Sequence, residues 1–330
     1  MKILIAPLNW GLGHATRCIP LIRQYIDNGD EVVIGGDGDS LLLLRRHFPN
    51  LRVVNLPSLE LSYTANSAQR GFYLRAIPAL IRFTIADHYY LRKQLAIEHF
   101  DLVVSDNRFG LFSKQVRSVY ITHQLYVRLP KRLRMFQPIA RALHACIYKR
   151  YHEVWVPDYK NMEESMAGEL CHGGRYDAHV KYIGPLSRFA SSERTPKELR
   201  RNSEETPKPY HAPMAENTEY SVVAILSGLE PQRSIFERAI LERYANTSEK
   251  VLLVRGKVAE AQTKIFRNNI TIVASLSDHA LLEAMKQSTT IIARSGYSTI
   301  MDLAVLGLLD KAEFYPTPGQ SEQEYLASRY

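Results

Sequence analysis

At 330 residues the chain is longer than one hydrophobic core comfortably fills, so two domains are expected. Its 45% hydrophobic and 23% charged residues form a globular composition, which excludes a disordered or fibrous chain. Three scattered cysteines, Cys18, Cys146 and Cys171, show neither a disulfide framework nor metal-ligand spacing and suit a reducing compartment.

In chain order, Lys2–Pro7 reads as a strand, followed by a Gly-rich turn and an amphipathic helix over Ala15–Asn28. The opening residues lack the apolar stretch and small-residue cleavage site of a signal peptide. No run reaches about 18 apolar residues, so a cytoplasmic protein is expected, at most peripheral on the inner membrane face. Glu31–Ile34 and Arg52–Leu56 read as strands around a helix at Ser40–His47. Asp101–Ser105, Ser118–Thr122, Glu153–Val156 and Val180–Pro185 add four more strands. Strands apolar on both faces and separated by helices predict a parallel sheet covered on both sides. Residues 187–218 are polar and hold Pro196, Pro207, Pro209 and Pro213, a linker or exposed loop. The rhythm then restarts. Tyr220–Leu226, Lys250–Val254, Ile270–Ala274, Thr290–Ala293 and Glu313–Tyr315 are strands; Pro231–Tyr244, Asp278–Gln287 and Ser298–Val305 are helices. The expected organisation is an N-terminal Rossmann-like domain over 1–186, the linker 187–218, and a C-terminal Rossmann-like domain over 219–330.

The net charge of +8 is placed unevenly. Between Asn107 and His152 there is no Asp or Glu, while ten cations fall between Arg108 and Arg150. Such a stretch suits an anionic membrane surface, a phosphorylated lipid or a nucleic acid, or is a plain solvated face. The segments 71–92 and 129–150 mix apolar and basic residues, as helices resting on a membrane do, although core packing explains their apolar residues equally well.

Three strand-to-helix turns carry the chemistry. Gly11-Leu12-Gly13-His14 follows the first strand; glycines let backbone approach a ligand, and the helix start offers free N–H groups. As a nicotinamide fingerprint it is incomplete, because Thr16 stands where a third glycine belongs. Ser227-Gly228 ends a strand in the second half, with Arg233 in the first turn of the next helix, where the helix dipole favours an anion. Arg294-Ser295-Gly296-Tyr297-Ser298-Thr299 is the third turn, with hydroxyls and backbone for a phosphate and Asp302 one turn on for ribose hydroxyls. Helix capping is the structural alternative for those hydroxyls. Asp37-Gly38-Asp39 spells a metal-binding pair but sits in a turn, so it reads as a loop and no required metal is expected.

The runs RSGYSTIMDLAVLG (294–307) and PTPGQSEQEYLA (316–327) resemble the nucleotide-sugar-binding half of family-28-type glycosyltransferases. These are GT-B enzymes, among them the peptidoglycan lipid-intermediate N-acetylglucosaminyltransferase (MurG-like), and GLGHATR (11–17) is similar to that family's Gly-rich loop. The resemblance implies a donor nucleotide held mainly by the C-terminal domain and an acceptor by the N-terminal domain. It places Asp302 on the ribose, Ser295, Gly296, Ser298 and Thr299 beside the diphosphate, and Gln320, Glu322 and Gln323 at the donor sugar. Thr122-His123-Gln124 is similar to a His-bearing stretch on the acceptor side. Two departures stand out: SGLEPQR is poorer in glycine than the family loop, and a family helix that crosses back to the first domain is missing after Tyr330. The second bears on domain coupling and activity.

The implied reaction moves a sugar from a nucleotide diphosphate, UDP favoured, to an acceptor hydroxyl of a lipid-linked or cell-envelope glycan, by inverting displacement. Backbone N–H groups with Arg233 or Arg294 would receive the leaving charge without a metal or other cofactor. His14 is the first choice of base, with Asp106 and His123 behind it. A sugar-nucleotide epimerase of the same fold and a non-catalytic lipid- or nucleic-acid-binding protein are the rivals. Nucleic acid is disfavoured for want of a recognised module. The picture requires the loops at Gly13, Gly228, Gly296 and Gln320 to converge.

Overall fold

A computed structural model of the chain describes residues 1–59, 70–173, 179–190, 219–259, 263–266 and 269–330. Most of the expected linker, 191–218, therefore lies outside the described residues.

The first half is a doubly wound sheet. Its strands are β1 (Lys2–Pro7), β2 (Glu31–Gly36), β3 (Arg52–Asn55), β4 (Leu102–Asp106), β5 (Arg117–Ile121), β6 (Glu153–Val156) and β7 (Val180–Tyr182). All pairings are parallel, in the order β3-β2-β1-β4-β5-β6-β7. The central strands β1 and β4 bury nearly every residue, because helices cover both faces. Those helices are α1 (Gly13–Asp27), α2 (Gly38–His47), α3 (Arg70–Ile97), α4 (Gln137–Tyr148) and the short α5 (Glu169–His172). A 3-10 turn, Lys131–Phe136, leads into α4.

The second half repeats the plan with β8 (Val222–Ile225), β9 (Val251–Val254), β10 (Thr263–Phe266), β11 (Ile270–Val273), β12 (Thr290–Ala293) and β13 (Ala312–Phe314). Their order is β10-β11-β9-β8-β12-β13. Five are parallel, and the edge strand β10 pairs antiparallel with β11, a hairpin the sequence reading missed. Here the helices are α6 (Gln232–Tyr244), α7 (Asp278–Gln287), α8 (Tyr297–Val305) and α9 (Ser321–Ala327).

Each half has a core of its own, around Leu4, Val33 and Val103 in the first and Val222, Leu253 and Ile292 in the second, and a further cluster joins the halves. Tyr297, Ile300 and Met301 of α8 and Leu326 of α9 belong to the same apolar cluster as Ile3, Ile5, Cys18 and Ile22 of the first half. Tyr297 also donates to the Pro157 carbonyl at 2.6 Å. Helices α1 and α8 thereby bring the carboxyl edges of the two sheets face to face.

Candidate active site

In open α/β sheets, ligands bind at the carboxyl edge where the strand order reverses. In the first sheet that point lies between β1 and β4, with Pro7 opposite Asp106 in register. In the second it lies between β8 and β12, with Ile225 opposite Ala293. The turns read from the sequence leave from these strands: 8–14 from β1, Ser227-Gly228 from β8 and 294–299 from β12.

Asp106, the last residue of β4, is fully buried and is the hub of the site. Its Oδ1 lies 2.8 Å from His14 Nδ1. Arg17 reaches both Asp106 oxygens, through Nε and NH2. Arg17 was missed in the sequence, although it stands one helical turn after His14 and so shares its face. The guanidinium continues to His123 Nδ1 at 3.1 Å, and His123 Nε2 meets Glu322 Oε1 at 2.8 Å. Gln124 adds a hydrogen bond to Glu322 Oε2 at 3.3 Å, and the His123 ring stacks on Tyr297 with centroids 4.1 Å apart. Thus all three candidate bases, His14, Asp106 and His123, belong to one network that ends on a carboxylate of the opposite half.

Electrostatics separates their roles. Burial by itself would raise the Asp106 pKa, but the Arg17 charge and then His14 outweigh it and bring it down to about 2. Asp106 is therefore ionised at any working pH and too weak a base to take a proton. Burial lowers the pKa of His14, with Asp106 opposing, so the imidazole is neutral at pH 7. The ring Nδ1 also lies 2.9 Å from Arg17 NH2. When Nδ1 carries the proton it donates to Asp106, which leaves Nε2 as the free acceptor; this is the tautomer a general base requires. Glu322 is held below the usual carboxylate range, as His123 outweighs the effect of its burial.

The loops named as donor-binding meet across the halves. A Cβ on Gly11, whose φ is +78°, would stand 3.6 Å from the Gly228 nitrogen, and Gly228 itself has φ +94°. Side chains at these two positions would strain the turns, because both residues hold a positive φ. Ser298 Oγ donates to the Gly13 carbonyl at 3.0 Å. Ser295 Oγ donates to the Gln323 carbonyl at 2.8 Å, and the Gln323 side chain accepts from the Thr317 amide at 2.8 Å. Gly296 caps α8, and the Thr299 amide bonds its carbonyl at 3.0 Å. Gln320 caps α9 and its amide bonds the Thr317 carbonyl at 3.0 Å. Ser227 is half-buried next to Gly228.

Three residues sit differently from the sequence expectation. Arg294 is only 5% exposed, with NH groups donating to the carbonyls of Pro316 at 2.9 Å and Gln232 at 3.1 Å, over the Phe236 ring. It braces two loops instead of facing a leaving group, and burial lowers its pKa to about 10. Arg233 pairs with Glu230 at 3.1 Å, the structural alternative for that residue. Asp302 already has partners: Ser187 Oγ donates to it at 2.6 Å, and Arg188 lies 3.6 Å from its other oxygen. Neither partner was foreseen. Burial raises the Asp302 pKa to about 6, against Arg188 and Ser187. Asp37 is a structural group, accepting from Arg108 at 2.9 Å and Asn9 at 3.2 Å.

Comparison with known proteins fits this geometry. The C-terminal domain of glycosyltransferase family 28 matches residues 223–325. An uncharacterized glycosyltransferase of Methanosarcina acetivorans is 22% identical over 346 residues, spanning 98% of this chain and 82% of the relative. Among solved structures, the spinosyn rhamnosyltransferase SpnG in complex with thymidine diphosphate is 13% identical and superposes with a TM-score of 0.59, over 100% of this chain and 84% of that one. The putative UDP-N-acetylglucosamine 2-epimerase from Listeria monocytogenes superposes with a TM-score of 0.55 at 13% identity, over 100% of this chain and 86% of that one. The structural likenesses establish the GT-B fold. The family domain and the curated relative make the chain a glycosyltransferase.

Proposed function

We propose that this chain transfers a sugar from a nucleoside diphosphate, uridine favoured, to an acceptor hydroxyl, with His14 as general base, inversion at the anomeric carbon and no required metal. One observation carries the reading: the turns of both halves meet at the His14–Asp106 pair, whose network runs on to Glu322 beside Gln323. The leaving diphosphate is received by backbone N–H groups at Gly13 and at Gly296–Ser298, with the Ser295 and Thr299 hydroxyls beside it, and the ribose by Asp302. For that, Asp302 exchanges Ser187 and Arg188 for ribose hydroxyls. Gln320, Glu322 and Gln323 hold the donor sugar.

The acceptor is proposed to be lipid-linked, as in the MurG-like enzymes, and met at the membrane surface. No described helix is long and apolar enough to cross a membrane. Helix α3 exposes Ile77, Ile81, Ile85 and Tyr89 at intervals of four residues, and the α4 region exposes Met135, Phe136, Ile139 and Leu143 among its arginines. Apolar residues among cations suit an interfacial surface over anionic lipid.

Calorimetric titration tests the donor site. UDP should bind in the roughly micromolar to sub-millimolar range typical of substrates, and Asp302→Ala should weaken it about tenfold or more by removing two hydrogen bonds to a charged acceptor. No binding of UDP or any other nucleoside diphosphate would end the proposal. Asp302→Asn adds a stability test. The Asp302 pKa is raised on folding from 3.8 to about 6, so the unfolded chain releases this proton first as pH rises. Stability is lost between those values, about 3 kcal/mol in all for a shift of this size. Asn avoids that loss and still accepts from Ser187. It should therefore raise the urea midpoint at pH 7.5 and leave it unchanged or lower at pH 4, while nucleotide binding weakens. The epimerase reading, kept by the Listeria likeness, is separated by incubating donor alone, since an epimerase needs no acceptor.

A further inference from the structure

A groove of about 610 Å³ outside the donor site is lined by Arg128, Arg134, Gln137, Pro138, Arg141 and Glu169. Three guanidinium groups face one carboxylate. Arg128 NH1 reaches Glu169 at 3.3 Å, a long contact in an exposed pair. Among the described residues no carboxylate pairs with Arg134 or Arg141. The Arg141 Nε is buried with no hydrogen-bond partner, an unspent charged donor in the wall of the groove. Its guanidinium lies over the Tyr126 ring at 5.5 Å, and that of Arg128 over Tyr325 at 4.5 Å. Stacking of this kind fixes the planar forks and so reduces the entropy lost when an anion binds them.

The groove is tied to the catalytic end of the second half. Ser321 Oγ donates to the Arg128 carbonyl, and the Glu169 amide donates to Tyr325 OH at 2.9 Å. Both Ser321 and Tyr325 are on α9, which also carries Glu322 and Gln323. A molecule anchored in the groove therefore lies along the helix assigned to the donor sugar.

We propose that this groove is a binding site for a phosphoryl group, carried by the acceptor. Arg134 and Arg141 supply the principal donors, Arg128 joins them on leaving Glu169, and Glu169 occupies the site as a displaceable counter-charge. A phosphoryl group fits because it is dianionic, offers several acceptor oxygens and matches planar guanidinium forks. Its assignment to the acceptor rests on the transferase reading; the binding site itself does not.

The test is calorimetry on the full chain in two arms, soluble glycerol 3-phosphate and vesicles of phosphatidylcholine with or without phosphatidic acid, each run with UDP saturating the donor site. Wild type should bind in at least one arm, and the tighter arm identifies a free or a lipid-borne phosphoryl group. R134Q/R141Q should weaken that binding about tenfold or more without changing the UDP affinity. Glu169→Gln should strengthen it several-fold, whereas Glu164→Gln, an equal change of charge at an exposed neighbouring position, should not. Equal binding by wild type and R134Q/R141Q, equal gains from the two glutamine variants, or no binding in either arm would overturn the site. Loss of UDP binding with phosphate binding intact would reject the transferase reading and leave the groove standing.

Discussion

Replacing His14 with alanine should slow sugar transfer by about 10²–10⁴-fold, the usual worth of a positioned acid–base group, with nucleotide affinity nearly unchanged. The expectation follows from the division of labour at Asp106. That carboxylate is brought down to about 2 and cannot serve as the base, whereas His14 is neutral at pH 7 and aligned through Nδ1. Because burial lowers the His14 pKa from 6.5, the acidic limb of kcat/KM against pH should lie below 6.5 in the wild type. Asp106→Asn removes the anion that aligns His14 Nδ1 and leaves the buried Arg17 guanidinium without its counter-charge, so it should slow transfer and lower stability together. Turnover by His14→Ala at the wild-type rate would eliminate His14 and return the role to His123.

The second large effect is expected at Arg17. The residue is 1% exposed and Asp106 is fully buried, so Arg17→Leu strands an anion in the interior. Breaking a buried pair from one side costs about 3–5 kcal/mol, measurable by urea denaturation. Arg108→Leu is the matched control. Arg108 is likewise buried and holds Asp87 at 2.7 Å and Asp37 at 2.9 Å, away from the reacting groups. Both variants should lose comparable stability. Only Arg17→Leu should shift the acidic limb of the pH–rate profile among the molecules still folded, upward, because His14 loses a neighbouring cation and keeps its anion. Identical pH profiles for the two variants would reduce Arg17 to a structural residue.

The sequence made the sheets legible because their strands are apolar on both faces and regularly spaced by helices, as in LVVSD and TIIA. Loops ending in glycine or hydroxyl residues at the carboxyl ends of those strands pointed to the site for the same reason: a parallel sheet fixes which end faces the ligand. The hairpin strand β10 escaped notice because TKIF is four residues long and has no distinctive alternation. Charge partners were the other blind spot. Whether Arg294 meets a phosphate or the carbonyls of Pro316 and Gln232, and whether Asp302 meets ribose or Ser187, depends on contacts dozens of residues away that no local pattern encodes. Arg17 drew no reading of its own from the sequence, because its partner Asp106 stands 89 positions later in the chain and is beside it only in space.

The apolar seam between α1 and α8 also restricts how substrates enter. Because Tyr297, Ile300 and Met301 are embedded among first-half side chains, the two lobes cannot swing apart as independent bodies without wetting that surface. A donor of the kind proposed would then enter by small slippage or rotation about this seam, with the glycine turns parting at the rim while the hydrocarbon contact persists.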